Sequence, residues 1–315
     1  LGDVYKRQAC NHAFLSALIV ERSGLFVKSS ALDFKLSKLI WEGSIDDLTL
    51  TKNAQPALMA TSIAAFRAME EENLMPDSIN FFAGHSLGEY SALCAAGALE
   101  LSVTAKLLRI RGEAMQKAVP IGVGAMAAIL GLDLKAVEDI AAQAAQTQIC
   151  QATNDNDPNQ VVISGEKIAI EKACEQAKSD GAKRAILLSV SAPFHCSLME
   201  SAQEKMAEVL EDTSIKEPMT PIISNITAKA VNEPKEIRRN LVKQITGTVR
   251  WRESVLEMQR LGVQRFLEIG PGNGVFAYFL IKKMKFRRAY LIDLPVMIPT
   301  CFFWLSALAV EKVVI

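Results

Sequence analysis

The chain has 315 residues, half of them hydrophobic, enough for one large domain or a large domain with a smaller one inserted. Its 35 Lys and Arg balance 35 Asp and Glu, so no global basic surplus points to nucleic acid and no acidic run to a solvating tail. The six cysteines, Cys10, Cys94, Cys150, Cys174, Cys196 and Cys301, form no Cys-x-x-Cys pair, which argues against a zinc site or disulfide framework and for reduced thiols in a cytoplasmic protein.

Residues 1–8 show neither clear periodicity nor the basic-then-apolar pattern of a signal segment. Helical spacing runs over 34–41 and 51–71, and in the second stretch Ala57, Leu58, Ala60, Ala64, Ala65 and Ala68 give a small-residue face for close packing. The apolar run 79–83 follows Pro76-Asp77 and reads as a buried strand. It leads straight into Gly84-His85-Ser86-Leu87-Gly88, after which 89–96 and 103–119 read as helices, the latter carrying Arg109 and Arg111.

Strands are expected at 125–130, 149–154, 160–164 and 184–189, with helices at 134–145 and 167–180 and a turn cluster at 155–159. Strand-helix-strand-strand-helix-strand is the split β-α-β pattern of a ferredoxin-like subdomain, assigned to 122–189 as an insertion in a core made of 9–121 and 190–293. Beyond it, helices are expected at 197–210, 234–244, 251–261 and 275–283, and strands at 221–224 and 264–269, the last ending in Gly270-Pro271-Gly272. Strands alternating with helices argue for a parallel sheet covered on both faces. Residues 294–310 are nearly all apolar, but Pro295 and Pro299 spoil a spanning helix, and no membrane role is expected. Both ends, 1–8 and 294–315, are expected to stand outside the pattern of the rest.

Gly-x-Ser-x-Gly between a buried strand and a helix is the setting of a nucleophile elbow. Glycines at 84 and 88 are expected to let strand and helix backbones approach, placing Ser86 at a helix N-terminus where free N–H groups favour developing negative charge. The Leu87 N–H is then an oxyanion donor. A serine nucleophile needs a base, and the chain offers His12, His85 and His195. His12 lies in the unpatterned N-terminal stretch. His85 adjoins the nucleophile and points away from it, so it is assigned to the pocket lining. His195, in Ser191-Ala192-Pro193-Phe194-His195, remains as general base. No acidic residue is identified by spacing as a third member, and a carbonyl oxygen can orient the imidazole instead.

These residues resemble the malonyl-CoA:acyl-carrier-protein transacylases of type II fatty-acid synthesis and, more broadly, acyltransferase domains of polyketide synthases. The stretches that carry the resemblance are Gln55-Pro56-Ala57-Leu58, residues 84–93 around the elbow, Arg111-Gly112 with Met115-Gln116, residues 124–128, 160–165 and 191–199, Ser224-Asn225, Val249-Arg250-Trp251, and Glu268-Ile269-Gly270-Pro271-Gly272. They occur in order over roughly 30 to 283.

The resemblance implies an α/β-hydrolase-like parallel-sheet core with an inserted ferredoxin-like subdomain. It implies that Ser86 is the acylated nucleophile, His195 its base, and Arg111 the arginine that grips the malonyl carboxylate. A planar guanidinium suits that task through two parallel hydrogen bonds. By the same resemblance Gln55 and Phe194 line the substrate pocket, Phe194 crowding an α-methyl branch. Asn225 and the backbone at Val249 and Arg250 belong to the region that orients the histidine. The implied substrates are malonyl-CoA and acyl carrier protein, with no metal and no bound cofactor; apart from the resemblance, the chain is expected to be a monomer. Family members open with a strand and a Pro-Gly-Gln-Gly-Ser-Gln loop whose glutamine gives a second oxyanion N–H; nothing like it precedes residue 30, and the stretch after Asp293 does not match either. Two other readings remain open: a serine thioesterase or hydrolase on the same elbow, and an inactive truncated fragment.

Overall fold

The computed structural model describes residues 32–120, 122–269 and 288–292. The expected helix at 275–283, the Gly270-Pro271-Gly272 turn, the apolar stretch 294–310, Cys10, Cys301 and His12 lie outside these.

Two short helices, α1 (Leu36–Glu42) and α2 (Ile45–Thr49), lead into the long helix α3 (Thr51–Glu71). The start of α2 is fixed by Ser44, whose Oγ accepts the Asp47 N–H. Pro56 sits inside α3 and has no N–H to give to the carbonyl of Lys52; Arg109 Nη1 takes that oxygen at 3.1 Å. A two-residue strand β1 (Phe82–Ala83) follows, then α4 (Leu87–Ala95) and α5 (Leu101–Ala118). Helix α5 crosses close to the start of α3 at Gly112, where a Cβ would stand 2.6 Å from both the Lys52 Cα and the Thr51 carbonyl oxygen. That contact explains the glycine in Arg111-Gly112, and it brings Arg111 beside Gln55. The small-residue face expected on α3 is only partly the buried one: Ala57 and Ala64 are buried, whereas Leu58, Ala60, Ala65 and Ala68 are half-buried.

The expected order of strands and helices then appears as β2 (Gly124–Leu130), α6 (Leu134–Ala145), β3 (Cys150–Asp157), β4 (Gln160–Glu166), α7 (Lys167–Ser179) and β5 (Arg184–Leu187). The four strands form one antiparallel sheet in the order β3-β4-β2-β5. Alternation splits its side chains: Ala127, Ile129, Val161 and Ile163 pack under α6 and α7, while Met126, Ala128 and Val162 face Phe194. Strand β3 runs three residues further than its composition suggests. Asp155 and Asp157 stay paired with β4 across two register shifts, and the turn shrinks to Pro158-Asn159, closed by Asn159 N donating to Asp157 Oδ1 at 2.7 Å. The outer edge of β3 is tied down as well, by Asp155 N to the Val249 carbonyl (3.0 Å) and Val249 N to the Thr153 carbonyl (2.9 Å).

The chain continues through a single 3₁₀ turn at Ser197–Met199 into α8 (Glu200–Glu211), β6 (Ile222–Ile223), β7 (Ala230–Val231), α9 (Pro234–Gln244), α10 (Trp251–Arg260), β8 (Arg265–Ile269) and β9 (Arg288–Ile292). Helix α9 starts on Glu233, whose carboxylate accepts the Lys235 and Glu236 N–H groups, with Pro234 at the first helical position. The parallel pairing expected of an alternating chain is present at β1–β6 and β8–β9, with β7 added antiparallel to β6. Leu93, Leu107, Leu108, Met115, Met206 and Leu241 are among the buried centre of the main core, which draws on α3, α4, α5, α8 and α9. Among the described residues no helix is long and apolar enough to cross a membrane.

Candidate active site

Parallel pairing of β1 with β6 sets Ala83 opposite Ile223, so the turns that follow the two strands lie side by side. One turn carries Ser86, the other Asn225. The first is tight: a Cβ on Gly84 would fall 1.9 Å from the Gly88 carbonyl oxygen, whereas one on Gly88 would meet open space. Close approach is thus required at Gly84 alone, a correction to the paired role expected of both glycines. Ser86 adopts φ 53° and ψ −110°, a conformation that costs a non-glycine residue about 1–3 kcal/mol. Its backbone is held by two amide side chains. Asn225 Oδ1 accepts the Ser86 N–H at 2.7 Å while Asn225 Nδ2 donates to the Gly84 carbonyl at 2.7 Å, and Gln244 Nε2 donates to the Ser86 carbonyl at 3.1 Å.

Although Ser86 occupies the N-cap of α4, its hydroxyl caps nothing. It faces His195, with Oγ 2.8 Å from Nε2. His195 is only 4% exposed and also has positive φ, 62°. Its Nδ1 lies 2.8 Å from the Gln244 carbonyl oxygen. A carbonyl can only accept, so Nδ1 carries the proton and Nε2 offers its lone pair to Ser86. Burial, reinforced by the Arg111 charge, lowers the imidazole pKa to about 3. The ring is therefore neutral at physiological pH, the state a general base requires.

The carbonyl that orients the ring comes from the last residue of α9, not from the region singled out in the sequence. The Val249 carbonyl is occupied by Asp155 N, Arg250 N donates to the Asn225 carbonyl at 2.9 Å, and Asn225 serves the Ser86 turn. Asn225, Val249 and Arg250 thus surround the site without touching the imidazole nitrogens.

Arg111, from α5, is 1% exposed and lies against the same hydroxyl. Its Nη1 donates to Gln55 Oε1 at 2.6 Å, and Nη2 donates to Gln244 Oε1 at 2.9 Å and to Ser86 Oγ at 3.0 Å. The guanidinium also stacks toward the Tyr90 ring, 5.6 Å from its centroid. Gln55 is held in turn by Thr51 Oγ1 at 2.8 Å. A buried cation whose donors rest on neutral oxygens is a ready receptor for a carboxylate, which brings the opposite charge and two oxygens that match the planar guanidinium fork.

Of the remaining residues singled out, Leu87 begins α4, and among the described residues no acceptor takes its N–H. His85 points away from Ser86: its Nε2 lies 2.9 Å from Asn156 Oδ1 and its ring packs edge-on against Trp251 at 5.6 Å. Phe194, next to His195, is half-buried between the main core and the face of the small sheet. Among the described residues no three His, Cys, Asp or Glu side chains are grouped to hold a metal ion, and Cys94, Cys150, Cys174 and Cys196 are free thiols, all buried.

Two residues of the site were not singled out by the sequence reading. Gln244 supplies a main-chain acceptor to His195 and both ends of its side chain to Arg111 and Ser86. Glu89 is 3% exposed, and its Oε2 accepts from Asn225 N at 3.1 Å and Gln244 Nε2 at 2.7 Å. Burial raises its pKa to about 7 against the opposing pull of these bonds and of Arg111. Its signal was present: Ser86-Leu-Gly-Glu89 has the spacing of a capping box, and Glu89 is the one charged side chain of α4. Gln244 had no comparable signal, because its role depends on where α9 ends.

Comparison with known proteins gives a consistent picture. The model of the acyl transferase domain family matches residues 18–279. Over 257 residues, 81% of this chain and 80% of the relative, the sequence is 48% identical to the malonyl CoA-acyl carrier protein transacylase of Bacillus subtilis. The crystal structure of an acyl-carrier-protein S-malonyltransferase from Bartonella henselae is similar with a TM-score of 0.80 at 44% identity, covering 98% of this chain and 95% of that one. A type II PKS acyl-carrier protein in complex with its malonyl-transacylase includes a chain similar at TM-score 0.83 and 38% identity, covering 90% and 91%.

Proposed function

Because this chain belongs to the acyl transferase domain family, we propose that it moves a malonyl group from malonyl-CoA to the phosphopantetheine thiol of an acyl carrier protein, in fatty-acid biosynthesis, through a malonyl ester on Ser86. One observation carries the reading: a serine hydroxyl 2.8 Å from a neutral imidazole nitrogen and 3.0 Å from a buried guanidinium. The first contact makes a nucleophile, and the second puts a carboxylate receptor at the point of attack. A serine hydrolase needs only the first.

In the first half-reaction His195 Nε2 takes the Ser86 proton as Oγ attacks the thioester carbonyl. The Leu87 N–H faces the oxygen that becomes negative, a contact worth about 2.7–4 kcal/mol in such sites. The tetrahedral adduct collapses, coenzyme A leaves with the proton from His195, and Ser86 keeps the malonyl group. Arg111 exchanges its bonds to Gln55, Gln244 and Ser86 for the free malonyl carboxylate. In the second half-reaction His195 takes the carrier thiol proton, sulfur attacks the ester, and the proton returns to Ser86 Oγ. Acyl transfer of this kind uses a nucleophile, a base and donors to the oxyanion, and calls for no metal or bound cofactor.

Phe194, wedged beside His195, crowds an α-methyl branch and favours malonyl over methylmalonyl, a preference of about 1–3 kcal/mol for one methyl group. His85 lines the pocket mouth. We further assign the described residues within 9–121 and 190–293 to an α/β-hydrolase-like core and 122–189 to a ferredoxin-like subdomain. The antiparallel order β3-β4-β2-β5 and the separate apolar layer beneath α6 and α7 support the second assignment.

The test is Arg111→Ala, assayed with malonyl-CoA and acetyl-CoA. Malonyl transfer should fall by roughly 10²–10⁴-fold, the equivalent of about 3–5 kcal/mol for removing one partner of a buried ion pair. Acetyl transfer should be spared or rise relative to it. An unchanged preference for malonyl would remove Arg111, and the malonyl assignment with it.

A further inference from the structure

Glu89 is a buried carboxylate that takes no part in the reaction as derived above. It stands three residues into α4 from Ser86, where the acid of a capping box reaches back to the N-cap N–H while the serine hydroxyl caps the helix. Neither bond of that box is made here. The Ser86 hydroxyl faces His195, the Ser86 N–H goes to Asn225 Oδ1, and the Glu89 N–H goes to the Ser86 carbonyl at 3.1 Å. The carboxylate instead holds the two residues that hold Ser86: Oε2 accepts from Asn225 N and from Gln244 Nε2.

The second of these contacts also decides which way the Gln244 amide points. With Nε2 on the carboxylate, Oε1 faces Arg111 Nη2 at 2.9 Å. Turned over, the amide would set oxygen against carboxylate and NH₂ against guanidinium, two repulsive contacts in a dry site. Asn225 is held by its backbone, leaving its own amide to bridge the Ser86 N–H and the Gly84 carbonyl.

We propose, on the reading that Ser86 is the acylated nucleophile, that Glu89 is a positioning residue: through Asn225 and Gln244 it replaces the capping box that Ser86 gives up, and it keeps the strained serine aimed at His195. Glu89 touches neither substrate nor the reacting atoms. Its effect falls on the rate of acylation and not on recognition of the malonyl carboxylate.

The experiment compares Glu89→Ala, Glu89→Asp and Glu89→Gln with the parent chain, following malonyl-Ser86 formation from malonyl-CoA by rapid quench and mass spectrometry. Glu89→Ala should lower the acylation rate by about 10²-fold, the scale of an ångström-level misplacement of a reacting group, with KM for malonyl-CoA little changed. Glutamine keeps an acceptor at the same reach and should restore most of the rate; aspartate, one methylene short, should not. Hydrogen exchange at the Ser86 amide, followed by NMR without substrate, should be faster in the alanine and aspartate variants and near the parent value in glutamine. If the alanine variant fails to fold, the aspartate and glutamine variants decide by the same two readouts. Equal acylation rates across the variants, or a loss expressed as a higher KM, would overturn the positioning role. A parent chain that forms no adduct on Ser86 at all would instead fail the functional reading on which it rests.

Discussion

The layer between the small sheet and helices α6 and α7 is built from Ala127, Ile129, Val137, Ile140, Val161, Ile163, Ile170 and other apolar side chains. Around Ser86 the buried side chains include a guanidinium, a carboxylate, an imidazole and the amides of Gln55, Asn225 and Gln244. The first region satisfies its backbone through a regular antiparallel ladder. The second holds two non-glycine residues at positive φ, Ser86 and His195, and satisfies the Ser86 backbone through side chains. One region lowers free energy on folding; the other holds in place groups that would be better solvated in the unfolded chain. Changes in the sheet layer should therefore be read in stability and changes around Ser86 in rate.

Ile163 gives the larger of two tests of that contrast. It is fully buried at the centre of β4, and Ile163→Ala should cost about 2–5 kcal/mol in denaturant unfolding. The turnover per folded molecule should stay at the parent value. A variant equally stable but slower would erase the distinction between the two regions.

A smaller effect lies in the pH dependence. An imidazole whose pKa is lowered by burial binds its proton only well below its ordinary range, so His195 should stay an active base as pH falls through about 6.5. The acid limb of kcat/KM for malonyl-CoA, which reports on the free enzyme, should accordingly carry no His195 inflection near that value. Glu89, raised to about 7, is the neighbouring group that titrates in the window. An inflection that vanishes in Glu89→Gln belongs to it, while one near 6.5 that survives would contradict the buried, neutral His195.

The same contrast sets what could be read from the sequence. Local patterns gave the small sheet and its helices nearly residue by residue, because alternation and helical spacing decide burial there. Strand β3 ran past Asn154 into Asp155 and Asp157, against their composition, because β4 on one side and Val249 on the other supply partners that no local rule contains. The expected strand at 79–83 shrank to Phe82–Ala83, and the two-residue β7 and the β9 strand went unread. At the site, Ser86 and His195 were legible from motif and elimination, and Arg111 and Gln55 from resemblance. The resemblance implies a histidine-orienting region at Asn225 and the backbone of Val249 and Arg250, whereas the carbonyl on the imidazole is that of Gln244. A main-chain oxygen leaves no trace in residue identity, and only the end of α9 places it.

Most direct for the central claim is a mass measurement on the chain mixed with malonyl-CoA, with peptide mapping before and after addition of holo acyl carrier protein. The account predicts one malonyl group on Ser86, absent in Ser86→Ala, stable to water on the time scale of turnover and discharged when the carrier thiol is added. No adduct on Ser86, or an adduct lost to water as fast without the carrier as with it, would contradict the account.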